Sequence, residues 1–412
     1  VPRWIAPGGT NSMVGTSSDV IFGDAAKKGL DFEVENAFWS SIKNASVVSN
    51  NLTNGGRNDL TRSIFNSYTS LDIGEGFSWS MEGYINDFGI YQMAKALGYA
   101  DEEQYYLNRA QNYVNLFNDE IGWFMGRDVN GAFRTSSDDF NPGIWWGDYT
   151  ETNAFNMAFT VPQDGQGLAN LYGGREKLAE RLDGLFNASP DLVQDGTIHE
   201  MVEARDLKMG LYGHSNQPSH HIPYMYNYAG RPDRTQEVVR EVLARAYVGS
   251  DFGQGYIGDE DNGEMSAWYI LSALGIYPVN MGSGEYAIGS PLFTKATIHL
   301  ECGEDLVINA PNNSRENIYV QGVKLNGEEY NKTYFNYSDL IHGAVIDFDM
   351  GDTPSDWGTS EDALPTSITE GDQVAEPSQD MTVTSPVVGE EIPSGDVIQD
   401  TVYSAATDRV EN

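Results

Sequence analysis

Apolar side chains recur with the period of an α-helix over the first two thirds of the chain. The clearest case lies between residues 234 and 247, and a second lies between 178 and 186. Apolar residues three and four positions apart share one helix face. Six or more such segments, without strand patterns between them, predict an array of α-helices. The apolar positions of the two segments are Val238, Val239, Val242, Leu243 and Ala246, and Leu178, Ala179, Leu182, Leu185 and Phe186.

The segment 267–274 differs from these because it is apolar on most sides of a helix. Gly275 follows it and suits a helix end, where the left-handed backbone conformation favours glycine. A helix without a polar face is typically covered by its neighbours in a folded protein. The pattern therefore predicts a buried helix.

Residues 284–350 change to short apolar runs separated by turn residues such as Asn326-Gly327. Runs of this length with β-branched residues are typical of strands joined by hairpins. We predict a small antiparallel β-unit over 284–350, packed on a helical region over 1–283. The runs begin at Ala296, Leu306, Ile318 and Ala344.

Residues 351–412 are polar and have few large apolar side chains, and Arg409 is their only basic residue. A segment that cannot bury enough apolar surface does not offset the entropy of ordering its chain. The composition predicts a disordered acidic tail over 351–412.

The charge of the chain excludes some classes of function. It has 61 Asp and Glu against 24 Lys and Arg, which gives a formal net charge of −37. A field of this sign repels phosphate backbones, so nucleic acid is not expected as a partner.

No stretch approaches the ~18 apolar residues of a membrane span. The single Cys302 excludes an intrachain disulfide framework and a cysteine-based zinc site. The chain begins at Val1 without a signal-peptide pattern, and we expect a fragment of a longer protein.

A first group of candidate residues follows two tryptophans, Trp145 and Trp146. A helix is predicted to start near Glu151. This carboxylate could simply stabilise the first turn of that helix, with both tryptophans in the core. It could also be a general acid beside aromatic side chains, which commonly line sugar sites. Both interpretations remain open from the residues alone.

A second group lies in the acidic run 258–264, directly before the predicted buried helix. Asp259 and Asp261 could face the positive N-terminus of that helix and remain ionised, as a general base must. A solvated capping loop is the alternative. The spacing does not match an EF-hand, because no Glu stands at the twelfth loop position.

A third group, residues 213–221, contains three histidines together with Asn216 and Gln217. Zinc is disfavoured because adjacent His220 and His221 cannot share one helix face. Neutral amide oxygens suit Ca²⁺ better. Upstream, the run 198–203 adds a His-Glu pair, although it is not the zinc-protease pattern HExxH.

The order of these motifs resembles glycoside hydrolase family 92, the calcium-dependent inverting exo-α-mannosidases. The resemblance covers about residues 1–350. It rests on residues 13–19 (MVGTSSD), 75–79 (EGFSW), 148–154 (DYTETNA), 214–221 (HSNQPSHH), 258–263 (GDEDNG), 265–269 (MSAWY) and 289–293 (GSPLF).

The resemblance implies a mainly α fold, an (α/α)6 toroid that is incomplete at its N-terminal side, with the small β-unit attached. Family members also carry an N-terminal β-sandwich and an upstream Trp-Asp-Thr motif, and neither is present in these 412 residues. The missing β-sandwich is therefore expected as a partner domain in the full-length protein.

The resemblance also assigns roles to individual residues. Glu151 becomes the general acid, and Asp259 or Asp261 becomes the general base. Calcium in this family binds two hydroxyls of mannose, and the resemblance implies ligands for it here as well as residues that bind substrate. The calcium ligands are Gln217, Asn216 and Glu203, and the substrate-binding residues are His199, Glu200 and Trp146. The family often has Glu where this sequence has Gln217, which removes a negative charge from the site.

The function predicted from the resemblance is an inverting exo-α-mannosidase acting on mannose-containing glycans. The pair His199-Glu200 looks like the dipeptide that lines the leaving-sugar subsite in α-1,2-specific members, which favours α-1,2 linkages. Two alternatives remain open: a mannose-1-phosphodiester hydrolase of the same fold, and a non-catalytic carbohydrate-binding fragment. Glycan substrates and a stalk-like tail favour an extracellular or cell-surface location.

Overall fold

The computed structural model describes residues 3–5, 7–192, 198–248 and 255–377. Contacts divide the chain into two compact units. Among the described residues, the N-terminal unit comprises those within Val1–Asp139 together with 375–377, and the C-terminal unit comprises those within Phe140–Val374. The predicted division between 283 and 284 is therefore not the one that the contacts give. The physical reason is that the β-unit packs on the second half of the helical region as one body.

The N-terminal unit is mainly helical in its described part. Its elements are β1 (Trp4–Ile5), β2 (Gly9–Thr10), α1 (Ser18–Lys27), α2 (Val34–Ser46), α3 (Leu60–Asn66), α4 (Gly76–Leu97), α5 (Ala100–Ala110), β3 (Phe117–Asn118) and β4 (Trp123–Phe124). Helix α4 is central because its side chains are buried along most of its length. Helices α1 and α4 approach closely at two glycines, since a Cβ atom at Gly23 would lie 2.5 Å from the Cα atom of Gly89.

Asp19, from the segment 13–19, is a structural residue of this unit. Its carboxylate is fully buried and accepts hydrogen bonds from Thr16 Oγ1 at 2.6 Å and Asn44 Nδ2 at 2.9 Å. The nearest cation is Arg57, whose Nη2 lies 3.5 Å away. Burial raises the pKa of Asp19 in spite of these partners. The contacts join α1 to α2 and to the loop that carries Arg57.

The C-terminal unit contains the remaining helices and most of the strands. Its elements are β5 (Trp145–Trp146), β6 (Tyr149–Asn153), α6 (Ala154–Met157), α7 (Gly165–Tyr172), α8 (Arg175–Phe186), α9 (His199–Leu207), α10 (Pro232–Ala246), α11 (Glu264–Leu274), β7 (Ile276–Tyr277), β8 (Glu285–Ile288), β9 (Lys295–His299), β10 (Asp305–Asn309), β11 (Tyr319–Leu325), β12 (Glu328–Glu329), β13 (Tyr334–Asn336), α12 (Tyr337–Leu340) and β14 (Ala344–Gly351).

The helical periodicity predicts the buried faces of two helices correctly. Helix α10 buries all five of its predicted apolar positions, and α8 buries four of its five. Helix α11 is different. It buries Met265, Trp268 and Ala273, but Ile270 is 56% exposed. The prediction of a helix covered on all sides is wrong for the described part of the chain, because no described segment packs over the Ile270 side.

The β-unit is mixed, which corrects the prediction of an antiparallel unit. Its main sheet has the strand order β12-β11-β14-β10-β9, and β14 runs parallel to β10 while its other pairs are antiparallel. The last strand enters the sheet between two earlier ones, after the chain has left it to form β13 and α12. A second sheet, with the order β13-β8-β7, begins at Ile276, eight residues before the predicted boundary.

The segment 352–377 is ordered, so the predicted disorder from residue 351 is wrong for this part. Trp357 is buried and its indole donates to the carbonyl of Tyr330 at 2.9 Å. Asp164 is fully buried before α7 and accepts hydrogen bonds from Ser367 Oγ at 2.6 Å and from the backbone N–H of Thr369 at 2.8 Å. The buried indole of Trp357 and the hydrogen bonds to Asp164 thus hold a segment that is otherwise mostly polar. Residues 378–412 of the predicted tail lie outside the described residues.

Within the described ranges, no helix combines the length and the apolar character that crossing a membrane requires.

Candidate active site

Glu151 lies in a strand and not in the first turn of a helix. The hairpin of β5 and β6 carries it, and α6 begins three residues later with Asn153 as its N-cap. The side chains on either side of Glu151 in β6 are buried, while Glu151 itself is partly exposed. Its φ of 54° is in the left-handed region, which is uncommon for a residue other than glycine and is frequent at functional sites. The interpretation of Glu151 as a helix-stabilising carboxylate is therefore wrong.

The two tryptophans of this hairpin are placed by β5. Trp145 is 7% exposed and belongs to a core cluster with Met201 and Ala204. Trp146 pairs through its backbone with Tyr149 in β6. The side chain of Trp146 lies outside the described part of the structure, so its predicted role at the substrate stays a prediction.

Asn216 holds the Glu151 side chain. Its Nδ2 donates to Glu151 Oε2 at 2.9 Å and to the Glu151 carbonyl at 3.3 Å. The Asn216 Oδ1 accepts from the backbone N–H of Gln217 at 3.1 Å, so both ends of the amide are engaged. Since Asn216 is 7% exposed, the carboxylate of Glu151 is fixed by a partner that has little freedom itself.

Gln217 makes the corresponding contact with the acidic loop. Its Nε2 donates to Asp261 Oδ2. Asp261 and Asn262 both have positive φ angles, of 54° and 59°, in the turn before α11. The loop is held close to its neighbour at Gly258, where a Cβ atom would lie 2.6 Å from Ser215 Cβ. Two consecutive amide side chains therefore join Glu151 to Asp261.

Helix α9 brings three more candidate residues to the same place. His199 lies 3.1 Å from Glu200 through Nε2 and 3.5 Å from Glu203 through Nδ1. Burial raises the pKa of Glu200, and the negative charges of Glu151 and Glu203 raise it further. Burial alone would lower the pKa of His199. The carboxylates of Glu200, Glu203 and Asp259 outweigh burial, and the pKa of His199 is raised overall.

These electrostatic interactions relate α9 to both acidic elements of the site. The charge of Glu151 raises the pKa of Glu200, and the charge of Asp259 raises the pKa of His199. Glu200 is 7% exposed, and within the described ranges its Oε2 is buried without a hydrogen-bond partner. A buried acceptor of this kind is favourable for a ligand hydroxyl that can donate to it.

The three histidines of the 213–221 loop have structural roles. His214 is fully buried, with Tyr212 and Tyr247 hydroxyls 2.8 Å and 2.9 Å from its ring nitrogens. His220 Nδ1 lies 2.6 Å from Glu264 Oε1, and His221 Nε2 lies 2.7 Å from the Phe159 carbonyl. Burial lowers the pKa of His221 to about 4. Protein atoms engage both ring nitrogens of His214 and of His220, and Nε2 of His221.

The contact of His220 with Glu264 is one that the sequence did not predict. It links the loop to the first residue of α11, and the indole of Trp268 donates to the His220 carbonyl at 3.0 Å. In the sequence, Glu264 ends the acidic run 258–264, and Trp268 belongs to the apolar segment that follows it. The only sign of these contacts in the sequence was that both residues stand in or beside motifs of the resemblance. These contacts fix the Asn216-Gln217 loop against α11.

The predicted calcium ligands supply oxygen atoms of the type that Ca²⁺ prefers. Glu203 faces His199, and Asn216 Oδ1 already caps a helical turn, whereas Gln217 donates with Nε2 and has its Oε1 to offer a cation. In the part of the chain that the structure describes, no three His, Cys, Asp or Glu side chains are grouped to hold a metal. By donor chemistry, two amide oxygens and one carboxylate suit a hard cation such as Ca²⁺ better than a softer metal.

Comparisons of the chain with known proteins point to one family of glycosidases. The family model "Glycosyl hydrolase family 92 catalytic domain" matches residues 1–352. A protein of the fungus Arthroderma benhamiae, named "Uncharacterized secreted glycosidase", is 26% identical over 404 residues, which cover 87% of this chain and 47% of that protein.

Two solved structures from Bacteroides thetaiotaomicron are similar to the chain. A family GH92 α-mannosidase matches with a TM-score of 0.79 and 32% identity, over 89% of this chain and 46% of its own. A family GH92 inverting mannosidase matches with a TM-score of 0.80 and 34% identity, over 90% of this chain and 50% of its own. The chain thus spans about half the length of these relatives. The extent of the family match and the agreement of the structures lead to one conclusion: the chain belongs to glycosyl hydrolase family 92.

Proposed function

We propose that this site hydrolyses α-mannosidic bonds by a single displacement with inversion of configuration, and that α-1,2-linked mannose is the substrate. The observation that carries the proposal is the pair of amides, Asn216 and Gln217, which hold Glu151 on one side and Asp261 on the other. Two carboxylates that accept hydrogen bonds from neighbouring residues of one loop can face a common space without contacting each other. An inverting glycosidase needs this arrangement, with ~6.5–9.5 Å between its carboxyl groups for a water molecule.

Glu151 is the general acid in this proposal. Its carboxyl group donates a proton to the glycosidic oxygen while the bond from that oxygen to the anomeric carbon breaks, so the leaving sugar departs as an alcohol. Asn216 orients the carboxylate by donating to Oε2.

Asp261 is the general base, in preference to Asp259. It accepts a proton from water while the water oxygen bonds to the anomeric carbon on the face opposite the leaving oxygen. The hydrogen bond from Gln217 orients Asp261 toward the same loop that orients Glu151. Asp259 acts on His199 through its charge, which is a positioning role. The proton gained by Asp261 and the proton lost by Glu151 are then exchanged through solvent.

The leaving sugar is proposed to contact His199 and Glu200. The imidazole is 66% exposed in its side chain and can reach a ligand, while Glu200 offers its buried Oε2 as an acceptor. Trp146 is proposed to cover an apolar face of the sugar. Since the fungal relative is described as secreted, we also propose an extracellular or cell-surface location.

Calcium is proposed as the cofactor, held by Gln217, Asn216 and Glu203 with water. When bound it would supply electrostatic attraction for two vicinal hydroxyls of mannose.

We expect the protein to bind one equivalent of Ca²⁺. The Gln217→Ala substitution should weaken this binding at least tenfold, because an oxygen ligand is lost. Isothermal titration with CaCl₂ measures both. Gln373→Ala, at an exposed amide elsewhere, is the control. Unchanged binding in Gln217→Ala, or none in the parent protein, would contradict this ligand set. EDTA should abolish hydrolysis.

The stereochemistry of the first product tests the reaction itself. Incubation with an α-1,2-linked mannobiose, followed by NMR of the anomeric protons, should give β-mannose first, because water attacks the face opposite the leaving group. The longest natural form of the protein is used. α-Mannose as the first product would exclude a single displacement. Binding of mannobiose without any turnover would instead identify a carbohydrate-binding protein and refute the proposed activity.

A further inference from the structure

The outward face of the main sheet carries polar residues in place of a packed layer. Along β14, Ile346 and Phe348 point into the core, while Asp347 and Asp349 alternate with them and are partly exposed or exposed. The inward side chains of β10 and β11 join the same core. Because side chains alternate between the two faces of a strand, the residues between them form one continuous outward surface.

One row of this surface crosses all five strands. Lys295 is paired with Asn309, Asn309 with Asp347, Asp347 with Lys324, and Lys324 with Glu329. Neighbouring strands are about 4.8 Å apart, so the five side chains follow each other at that interval. Their charges alternate along the row, with the neutral Asn309 next to Asp347.

The central side chains of the row are held by specific contacts. Asn309 Nδ2 donates to Asp347 Oδ1 at 2.8 Å, and Lys324 Nζ lies 3.2 Å from Glu329 Oε1. At the border, Gln321 Nε2 donates to the Thr353 carbonyl at 2.8 Å. Among the described residues, no hydrogen bond engages Asn309 Oδ1 or Asp347 Oδ2, so both can accept from a ligand. Side chains that are fixed before binding lose little entropy when a ligand arrives.

The row lies in a groove with a volume of about 970 Å³. This is at the upper end of the range for small-molecule sites, which is roughly 300–1,000 Å³. The groove is lined by all five residues of the row, together with Thr294, Pro311, Asn312, Gln321, Gly322, Val323, Phe348 and Asp349. It shares no residue with the candidate active site.

The chemistry of the groove selects among ligand classes. Ammonium and carboxylate groups alternate, so a ligand of a single charge sign meets both attraction and repulsion. An apolar ligand would desolvate these charged groups without replacing their hydrogen bonds. A neutral chain rich in hydroxyl groups can donate to carboxylates and amide oxygens and accept from ammonium groups at each interval of the row.

We propose that this groove is a second glycan-binding site, which holds an oligosaccharide chain away from the reacting residues. That the oligosaccharide is mannose-rich rests on the function proposed above. The groove would retain a polymeric substrate between cleavage events, since binding at a second site raises the local concentration of chain ends at the first.

The test uses the Glu151→Gln protein, which should bind α-1,2-mannotriose without hydrolysing it. Val307 and Val345 are paired on the outward face, one row from the end of the groove, and serve as ¹³C-methyl reporters. Their signals should shift on addition of mannotriose. Asp347→Ala combined with Lys324→Ala should weaken the apparent affinity at these reporters at least tenfold. Lys177→Ala with Glu180→Ala, which removes an exposed ion pair on α8, is the matched control and should change nothing.

The outcomes separate this inference from the proposed function. Val307 and Val345 signals that do not respond to mannotriose, or that respond equally in the Asp347→Ala and Lys324→Ala protein, overturn the second site. If the Asp347→Ala and Lys324→Ala protein unfolds at a lower temperature than the parent, the affinity for mannotriose is measured in Lys324→Met instead. This variant removes only an exposed ammonium group, and an unchanged affinity overturns the second site. If the methyl reporters respond but the parent protein, with Glu151 in place, hydrolyses no mannoside, the groove is supported and the mannosidase is refuted.

Discussion

Glu151→Gln is expected to lower kcat/KM for α-1,2-mannobiose by about 10³-fold, within the range known for loss of a general acid. The glutamine can still accept from Asn216 but has no acidic proton for the leaving oxygen. An aryl α-mannoside with an acidic phenol needs little protonation and should lose far less activity. The measurement is the ratio of the two losses in steady-state kinetics.

Glu176→Gln on the exposed side of α8 is the matched control and should leave both substrates unaffected. Equal losses on mannobiose and the aryl mannoside would show that Glu151 is not the acid. The same comparison addresses a mannose-1-phosphodiester hydrolase, whose acidic leaving group makes a general acid nearly dispensable. If a mannose-1-phosphodiester is cleaved well and mannobiose is not cleaved at all, the mannosidase assignment is wrong.

Asp261→Asn is expected to lower kcat/KM by 10²–10⁴-fold on both substrates alike. The reason is that attack by water requires a base whichever group departs. Asp259→Asn should reduce kcat/KM less. It should also lower the pKa of His199, because it removes one of the negative charges that raise it.

The imidazole of His199 can be followed by NMR through a pH titration of the Asp259→Asn protein. The imidazolium form should be lost at a lower pH than in the parent, since a lowered pKa means that the proton is released earlier as pH rises. A greater loss of activity for Asp259→Asn than for Asp261→Asn would transfer the role of base to Asp259. An unchanged His199 titration would remove the positioning role of Asp259.

Local patterns predicted those parts of the fold that depend on them. The faces of α8 and α10 follow from the spacing of apolar residues, because burial of one face is a property of the helix alone. The exposed side of Ile270 could not be predicted, since it depends on which segments pack around α11. The parallel position of β14 has the same origin, because strand order is set by contacts between distant residues.

The candidate site shows the same limit. Residue types and motif order indicated Glu151, Asp259, Asp261 and the Asn216-Gln217 pair. The sequence could not show that the two amides donate to carboxylates, because Glu151 and Asn216 are 65 residues apart and their contact exists only in the folded chain. The left-handed conformation of Glu151 had no local signal either, since glycine is the residue expected there.

The hydrogen bonds to Asp164 also define how far the stable fold extends. The family match ends at residue 352, but the donors at Ser367 and Thr369 lie beyond it. A protein shortened at the family boundary would lose those two donors to a buried carboxylate, and a hydrogen bond to a charged group contributes roughly 1.5–3 kcal/mol. Evolutionary and physical boundaries of the domain therefore differ, and expression of the shorter piece would yield an unstable product.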